Sequence, residues 1–375
     1  MIRFAGKRLG LVLLLAATFF ACSKKGDPQK EDTGSAADRK AVLVNVTENI
    51  VIPSYSNFKT KLDLLVSKTN NFTDAPTTAS LGELRSAWVS AYVEWQKVEL
   101  FEFGSADRYS LRSYFNIYPA NETTIAANIT SGTANLDIAS NFTAQGFPAI
   151  DYLINGLGNT DGIIVSYYTT ETDAAKRKAY LKSIVSKMNS VFTTVNTEWN
   201  GAYKETFINK TGTDASSSTS ALVNGYVRSY ERTIRSGKFG IPSGVMLNGT
   251  VSPQNVEAFY KKDISLTLAK TAHQAAIDFF NGKSVKNGVE GPSLKTYLTA
   301  INAQTALPQA INSQFSVTTE KLNAIQTENL SSVVQNNNQQ MIDVYNEMQK
   351  SVKLLKVDMT SAISITITYT DNDGD

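Results

Sequence analysis

The sequence of 375 residues contains one histidine, His273, and one cysteine, Cys22. A single histidine excludes zinc sites built from several imidazoles, the HExxH motif of metalloproteases and catalytic triads that use a second histidine. A single cysteine excludes an internal disulfide, so the core must stabilise the fold, and 42% hydrophobic residues suffice for that. A metal site would have to use oxygen ligands, which suit hard cations such as calcium, magnesium or ferric iron.

The chain also has little net charge. It carries 36 lysine and arginine residues against 34 aspartate and glutamate residues. Three of the basic residues, Arg3, Lys7 and Arg8, lie near the start, and without them 33 basic residues face 34 acidic ones. No basic stripe remains of the kind that binds nucleic acid, so we predict no nucleic-acid partner. The sequence contains no phosphate loop, dinucleotide fingerprint or nucleophile elbow.

The first 21 residues have the pattern of an export signal. The three basic residues precede an uncharged apolar run over 9–20, which is too short to span a bilayer as a stable helix. The run ends in Ala21-Cys22, the pair that a lipoprotein signal peptidase recognises. We predict a signal peptide over 1–21, lipid on Cys22, and a flexible tether over 22–39. The predicted location is the bacterial cell envelope, periplasmic or surface-exposed, with the membrane as a partner. The alternative is an ordinary signal peptide with a chance cysteine.

Apolar residues recur at helical spacing over most of the chain. The clearest stripe runs for five turns from Leu181 to Trp199. We predict an all-α fold of two packed helical bundles, over 40–210 and 211–375, whose similar size would suit an old duplication. Apolar and polar residues alternate over 363–369, which predicts a short C-terminal strand. Helices are predicted over 40–70, 80–103, 133–142, 146–156, 173–202, 217–236, 253–281, 292–303 and 317–356.

Residues 146–156 carry the most informative motif, Gly-Phe-Pro-Ala-Ile-Asp-Tyr-Leu-Ile-Asn-Gly. It resembles the signature of the imelysin-like family, in which a Gly-x-His-x-x-Glu motif opens a helix and runs into Tyr-Leu and an apolar stretch. The resemblance covers roughly residues 40–375. The segment 88–104 resembles the Trp-rich helix of the family, which ends in Glu and Phe-Gly. The segments 237–244, 252–259 and 366–375 resemble features of its lipoprotein branch.

The resemblance implies an all-α fold of two helical bundles and an iron-regulated protein of the cell envelope, of a type found in iron uptake systems. It also implies a peptidase whose motif His and Glu hold a metal. This sequence departs from that pattern, because Pro148 stands at the position of the His and Asp151 at that of the Glu. Proline has no side-chain donor or acceptor, so the metal pair is absent and peptidase chemistry is disfavoured. Pro148 after Gly146 instead predicts a rigid start of a helix.

A polar pocket is the remaining candidate site. Glu99 follows the apolar stripe of its helix, and a carboxylate that faces inward must be paired, hydrogen-bonded, protonated or metal-bound. We expect Glu99, Glu102 and Asp151 to converge on one binding site. The alternative is that they form a buried ion pair with a purely structural role. The candidate counter-charges are Arg232, Arg235 and Lys238. The predicted binding residues are Gly146, Pro148, Asp151, Glu99, Glu102, Phe103, Arg235 and Lys238, and the predicted ligands of iron or another hard cation are Asp151 and Glu99.

Three functions agree with the sequence. The favoured one is a non-enzymatic binding protein of the envelope, linked to iron or haem acquisition. The second is a metal-dependent peptidase of the imelysin type, and the third is a helical scaffold that docks an envelope transporter or surface partner. His273, which lies among alanines, is predicted to sit at a helix–helix contact rather than to bind haem. The acidic residues 371–375 are predicted to be a solvated tail rather than a calcium loop.

Overall fold

The computed structural model of the protein describes residues 35–301 and 306–370, all within one compact unit. The predicted signal peptide, the lipidated Cys22, most of the tether and the acidic tail lie outside the described residues. The described chain is all-α, as predicted, and its extended pairing is limited to one isolated bridge between Lys283 and Glu290. Within these residues, no helix combines the length and the apolar character that crossing a membrane requires.

Helices follow one another from end to end of the described chain. Several are prolonged by π-helical turns, at Val46–Val51, Tyr152–Gly156, Ser229–Gly240 and Leu354–Met359, and short 3₁₀ turns lie at Ala139–Ala144 and Pro253–Asn255. The α-helices are α1 (Ala36–Asn45), α2 (Ile52–Asp74), α3 (Thr78–Trp95), α4 (Ser105–Arg108), α5 (Leu111–Phe115), α6 (Glu122–Ser131), α7 (Gly146–Asp151), α8 (Asp161–Thr169), α9 (Ala174–Asn200), α10 (Tyr203–Asn209), α11 (Ser218–Arg228), α12 (Ser265–Asn281), α13 (Leu294–Ala300), α14 (Leu307–Ala324), α15 (Leu330–Asn336), α16 (Asn338–Lys353) and α17 (Thr360–Ala362).

Helices of the first half pack around α2, which contacts both α3 and α9 along its length. The predicted stripe of α9 is the reason, because residues spaced by three and four share one face of a helix. Ile184, Met188 and Phe192 on that face are fully buried. The ring of Phe192 meets those of Tyr55 and Phe58 from α2 edge to face, with centroids 5.3 and 4.7 Å apart.

Helices of the second half pack around α16, which contacts α14 and the π-helical segment Ser229–Gly240. Met341, Val344 and Met348 form the buried face of α16 at the same helical spacing. The π-helical segment continues α11 without a break and is buried along nearly all of its length. The division of the chain at residues 210 and 211 stays a prediction.

Three of the predicted boundaries are wrong. The chain is already helical at Ala36, inside the predicted tether, and Arg39 is buried with a hydrogen bond of 3.1 Å to the hydroxyl of Tyr297. The helix predicted over 253–281 begins at Ser265, because Ala258 and Lys262 have positive φ angles of 57° and 68°. The helix predicted over 133–142 is replaced by α6 upstream, which Gly132 ends in the left-handed conformation.

The long helix predicted over 317–356 is also interrupted. α14 ends at Ala324 and the chain turns before α15. Hydrogen bonds to Ser265 hold this turn against the start of α12. The Ser265 hydroxyl donates to the carbonyl of Glu328 at 2.9 Å and accepts from the amide of Leu330 at 3.1 Å. Neither proline nor glycine marks the interruption in the sequence.

The predicted C-terminal strand is not formed. Residues 365–370 form neither helix nor strand, and a helix side chain binds their backbone where a neighbouring strand would. Asn224 of α11 donates from Nδ2 to the carbonyl of Thr366 at 3.1 Å and accepts at Oδ1 from the amide of Thr368 at 2.8 Å. The alternation of apolar and polar residues does reflect alternating burial, because Ile363 and Ile365 are buried. The strand inferred from that alternation is wrong.

Candidate functional site

The motif helix α7 begins at a glycine that no other residue could replace without a clash. Gly146 has a φ angle of +73°, and a Cβ atom there would lie 2.3 Å from the carbonyl oxygen of Phe115. The next ring, that of Phe147, stacks on Tyr92 of α3 with centroids 4.3 Å apart. The backbone contact and the stacked rings fix the direction in which α7 leaves the core.

Pro148 and Asp151 are both buried on α7. Oδ1 of Asp151 accepts from the side chain of Asn155 at 2.9 Å and from the amide of Lys261 at 3.0 Å. Its Oδ2 accepts from the amide of Tyr260, also at 3.0 Å. Burial raises the pKa of Asp151 to about 7, although these three donors act in the opposite direction. The carboxyl group therefore anchors the loop between Pro253–Asn255 and α12.

A cavity of about 190 Å³ lies beside the motif. Pro148 and Asp151 form part of its wall, and Tyr118, Glu122 and Tyr260 supply further oxygen atoms. The hydroxyl of Tyr260 donates to Oε1 of Glu122. Burial, followed by that contact with Glu122, raises the pKa of Tyr260, so its phenol stays protonated at neutral pH.

Glu99 lies in a different group of buried polar side chains, which we term the buried charge cluster: Gln96, Glu99, Asn116, Lys238 and Glu257. The amide of Asn116 donates to Oε1 of Glu99 at 2.9 Å and to Oε1 of Glu257 at 2.7 Å. Its Oδ1 accepts from the hydroxyl of Tyr92 at 2.6 Å, which orients the amide. One asparagine side chain thus joins carboxylates from two distant parts of the sequence.

Lys238 neutralises the cluster from the π-helical segment. Its Nζ donates to Oε1 of Gln96 at 2.6 Å and to Oε2 of Glu257, and Gln96 donates in turn to Oε1 of Glu257 at 3.0 Å. Burial alone would raise the pKa of Glu257, but Lys238 and these donors hold that pKa below its usual value. Burial raises the pKa of Glu99 above its usual value despite the opposing charges of Lys238 and Arg112.

Arg112 connects Glu99 with the surface. Its Nε lies 3.2 Å from Oε1 of Glu99 and 3.7 Å from Oε1 of Glu102. Arg228 holds the other oxygen of Glu102 at 3.0 Å. The structure thereby links Glu99, Glu102 and Lys238 in one set of charges. Phe103 belongs to the aromatic core instead, where its ring stacks on that of Phe207 at 5.7 Å.

Arg235 forms its ion pair with Glu231 and not with Glu99, Glu102 or Asp151, which corrects its predicted role as a counter-charge. It is fully buried, and its Nη2 lies 3.9 Å from Glu231, one turn earlier in the same segment. Lys356 and Tyr369 also bind Glu231, at 2.9 and 2.7 Å. Glu231 thus forms a second buried ion-pair group, to which the C-terminal segment contributes.

Asp151 and Glu99 share no hydrogen-bond partner, although both are buried. The loop over 256–261 connects them, since Glu257 joins the buried charge cluster while Tyr260 and Lys261 bind Asp151. Sequence reasoning missed Gln96, Asn116 and Glu257 as members of the site. A signal existed for Gln96, which lies three residues before Glu99 and would share its face in the helix predicted over 80–103, although α3 ends at Trp95.

The site does not suit the metal pair that the motif would otherwise supply. Pro148 offers no ligand atom, and the oxygens of Asp151 already accept three hydrogen bonds. Over residues 35–301 and 306–370, no three histidine, cysteine, aspartate or glutamate side chains come together in a way that could hold a metal ion. The prediction that Asp151 and Glu99 bind one hard cation together therefore gains no support from this geometry.

Comparison with known proteins places this geometry in context. The family model for imelysin, peptidase M75, matches residues 51–356. Iron-regulated protein A of Synechococcus elongatus is 23% identical over 301 residues, which are 76% of this chain and 77% of that protein.

Two solved structures have the same fold. An imelysin-like protein from Psychrobacter arcticum superposes with a TM-score of 0.67 at 19% identity, covering 89% of this chain and 98% of the other. An iron-regulated protein A precursor from Parabacteroides distasonis gives a TM-score of 0.66 at 17% identity, covering 86% and 96%.

Proposed function

Because this chain belongs to the imelysin family, we propose that it is an envelope lipoprotein that binds a ligand for iron acquisition and does not cleave it. The names of two similar proteins, iron-regulated protein A of Synechococcus elongatus and the iron-regulated protein A precursor of Parabacteroides distasonis, support the link to iron. The export signal and Cys22 support the envelope location. Lipid on that cysteine would keep an otherwise water-exposed domain at a membrane surface.

The absence of a base at the motif carries the proposal that nothing is cleaved. Peptide hydrolysis needs a general base or a metal-bound water. Pro148 can act as neither a base nor a ligand. Both oxygens of Asp151 accept hydrogen bonds from backbone amides of the loop that follows Pro253–Asn255. Both positions thus have structural roles in α7.

The cavity beside the motif is the candidate binding site. Its volume of about 190 Å³ is below the roughly 300–1,000 Å³ of pockets that hold drug-sized ligands. A hydrated cation or a small chelate therefore fits it better than haem. Its wall offers a carboxylate oxygen from Glu122 and phenol oxygens from Tyr118 and Tyr260, and ferric iron and other hard cations prefer such oxygen ligands.

Titration of the full-length protein in detergent tests this proposal. Calorimetry with ferric nitrilotriacetate, calcium chloride and haemin should show saturable binding of the ferric species. Glu122→Gln removes a charge from the cavity wall and should weaken that binding at least tenfold. Glu205→Gln changes an exposed carboxylate elsewhere and is the matched control. No saturable ferric binding, or equal affinity in the two variants, would overturn the cavity assignment.

Two further measurements test the remaining parts. Cys22→Ser should move the protein from the membrane fraction to the soluble fraction, and membrane retention of this variant would contradict lipid anchoring. Incubation with a peptide library, with and without a chelator, tests for hydrolysis. Chelator-sensitive cleavage that Asp151→Ala abolishes would establish the metal-dependent peptidase instead.

A further inference from the structure

Lys238 places an ammonium group in the protein interior. Its side chain is 1% exposed, and Nζ contacts Oε2 of Glu257 and Oε1 of Gln96. Removing a charge from water is costly, and only a close opposite charge with further hydrogen bonds compensates for that cost. Lys238 and Glu257 therefore compensate each other's burial.

Glu99 adds a second carboxylate to the same cluster. Asn116 ties it to Glu257 through one amide group. Oε2 of Glu99 is buried and has no hydrogen-bond partner among the described residues. Arg112 reaches the other oxygen of Glu99 but lies partly in solvent, so Lys238 is the fully enclosed cation of the cluster.

The oxygen atoms around this ammonium group are of the type that hard cations use. Carboxylate and side-chain amide oxygens recur as ligands of calcium and related ions, and Nζ contacts one of each. Between Glu257 and Gln96, however, the position of a cation is taken by Nζ of Lys238. The cluster is thus a cation site whose cation is covalently part of the chain.

We propose that the ammonium group of Lys238, held by Glu257 and Gln96 beside Glu99, replaces a bound metal ion in the buried charge cluster, and that its removal creates a binding site for a hard divalent cation. The expected ligands are the carboxylates of Glu257 and Glu99 and the amide oxygen of Gln96. This inference does not depend on the ligand proposed for the cavity, because the two sites have different residues.

The experiment compares Lys238→Met with the wild type, using the full-length protein in detergent, treated with chelator and then dialysed against manganese or calcium. Methionine keeps the length of the side chain and removes its charge. Lys238→Met should unfold several degrees below the wild type without a cation and should recover at least half of that loss with one. Equilibrium dialysis should show one manganese ion per chain more than the wild type binds. Lys97→Met, which removes a half-exposed ammonium group beside Glu94, is the control and should show neither change.

The double variant Lys238→Met, Glu257→Met completes the test. Because both charges are removed together, it should unfold close to the wild-type temperature and bind no additional manganese. It also provides a readout if Lys238→Met alone does not fold. A double variant that folds would then show that the unpaired charge of Glu257 causes the failure, and hence that Lys238 neutralises it. A double variant that stays as unstable as the single one, or a folded Lys238→Met that binds no more metal than the wild type, would overturn the inference.

Discussion

Nδ1 of His273 lies 3.2 Å from the hydroxyl of Tyr230 in the interior of the protein. The opposite nitrogen, Nε2, lies 3.2 Å from the carbonyl oxygen of Phe315 on α14. A carbonyl can only accept, so Nε2 carries the proton and Nδ1 accepts from the tyrosine. The imidazole is thus neutral and joins α12 to α14, which confirms the predicted helix–helix setting.

This arrangement predicts a loss of stability in mild acid. Burial lowers the pKa of His273 to about 4, against 6.5 for an exposed histidine. The unfolded chain therefore binds a proton that the folded chain excludes, and stability falls as pH drops from about 6.5 to about 4. A shift of this size corresponds to at most about 3 kcal/mol. Denaturant unfolding should show this contribution in the wild type and lose it in His273→Gln, and equal pH slopes would contradict the neutral imidazole.

The buried carboxyl group of Asp151 should make the free energy of unfolding depend on pH in the opposite direction. Since burial raises its pKa from 3.8 to about 7, the folded chain holds a proton there that the unfolded chain releases above pH 4. The contribution of Asp151 to stability should therefore fall as pH rises from about 4 to about 7, by at most about 4 kcal/mol. Asp151→Asn cannot ionise and should lack this component. The measurement is the difference in unfolding free energy between the two proteins across that range, and a constant difference would contradict the prediction.

Gly146→Ala should destabilise the motif helix severely. The new Cβ would lie 2.3 Å from a backbone oxygen and would force a positive φ angle on alanine. We expect a loss of about 3 kcal/mol or more, because backbone strain and a steric clash add. Gly162→Ala in α8 is the control, since nothing lies within 4 Å of its Cβ. Equal stability of the two variants in urea unfolding would show that the end of α5, which carries Phe115, adapts easily.

Asn224→Ala should release the C-terminal segment over 365–370. It removes two hydrogen bonds to the backbone of Thr366 and Thr368 and leaves those groups without their partner. The expected loss is roughly 1–3 kcal/mol, with faster proteolysis near residue 366. The exposed Asn159→Ala should change neither quantity. Unchanged proteolysis in Asn224→Ala would mean that Tyr369 and its neighbours hold the segment without Asn224.

The sequence predicts those features of the fold that depend on residues close together in the chain, such as the buried face of a helix. The stripe of α9 was readable because its period follows from helix geometry alone, and the inward direction of Glu99 followed from the same rule. Asn116 and Glu257 escaped prediction because they lie in irregular segments and meet across 141 residues of sequence. The sequence offers Arg235 and Lys238 alike as counter-charges, since both are basic, but in the structure they bind different carboxylates, Glu231 and Glu257.

The hydrogen bonds of Asp151 also determine what a histidine at position 148 could do. Pro148→His would place an imidazole near a carboxyl group that already accepts from the amides of Tyr260 and Lys261. To bind a metal ion together with the imidazole, that carboxyl group would have to leave the loop, and two amides would lose their partner. The effect of a substitution at position 148 therefore depends on Asp151, and Pro148→His alone does not create a metal site.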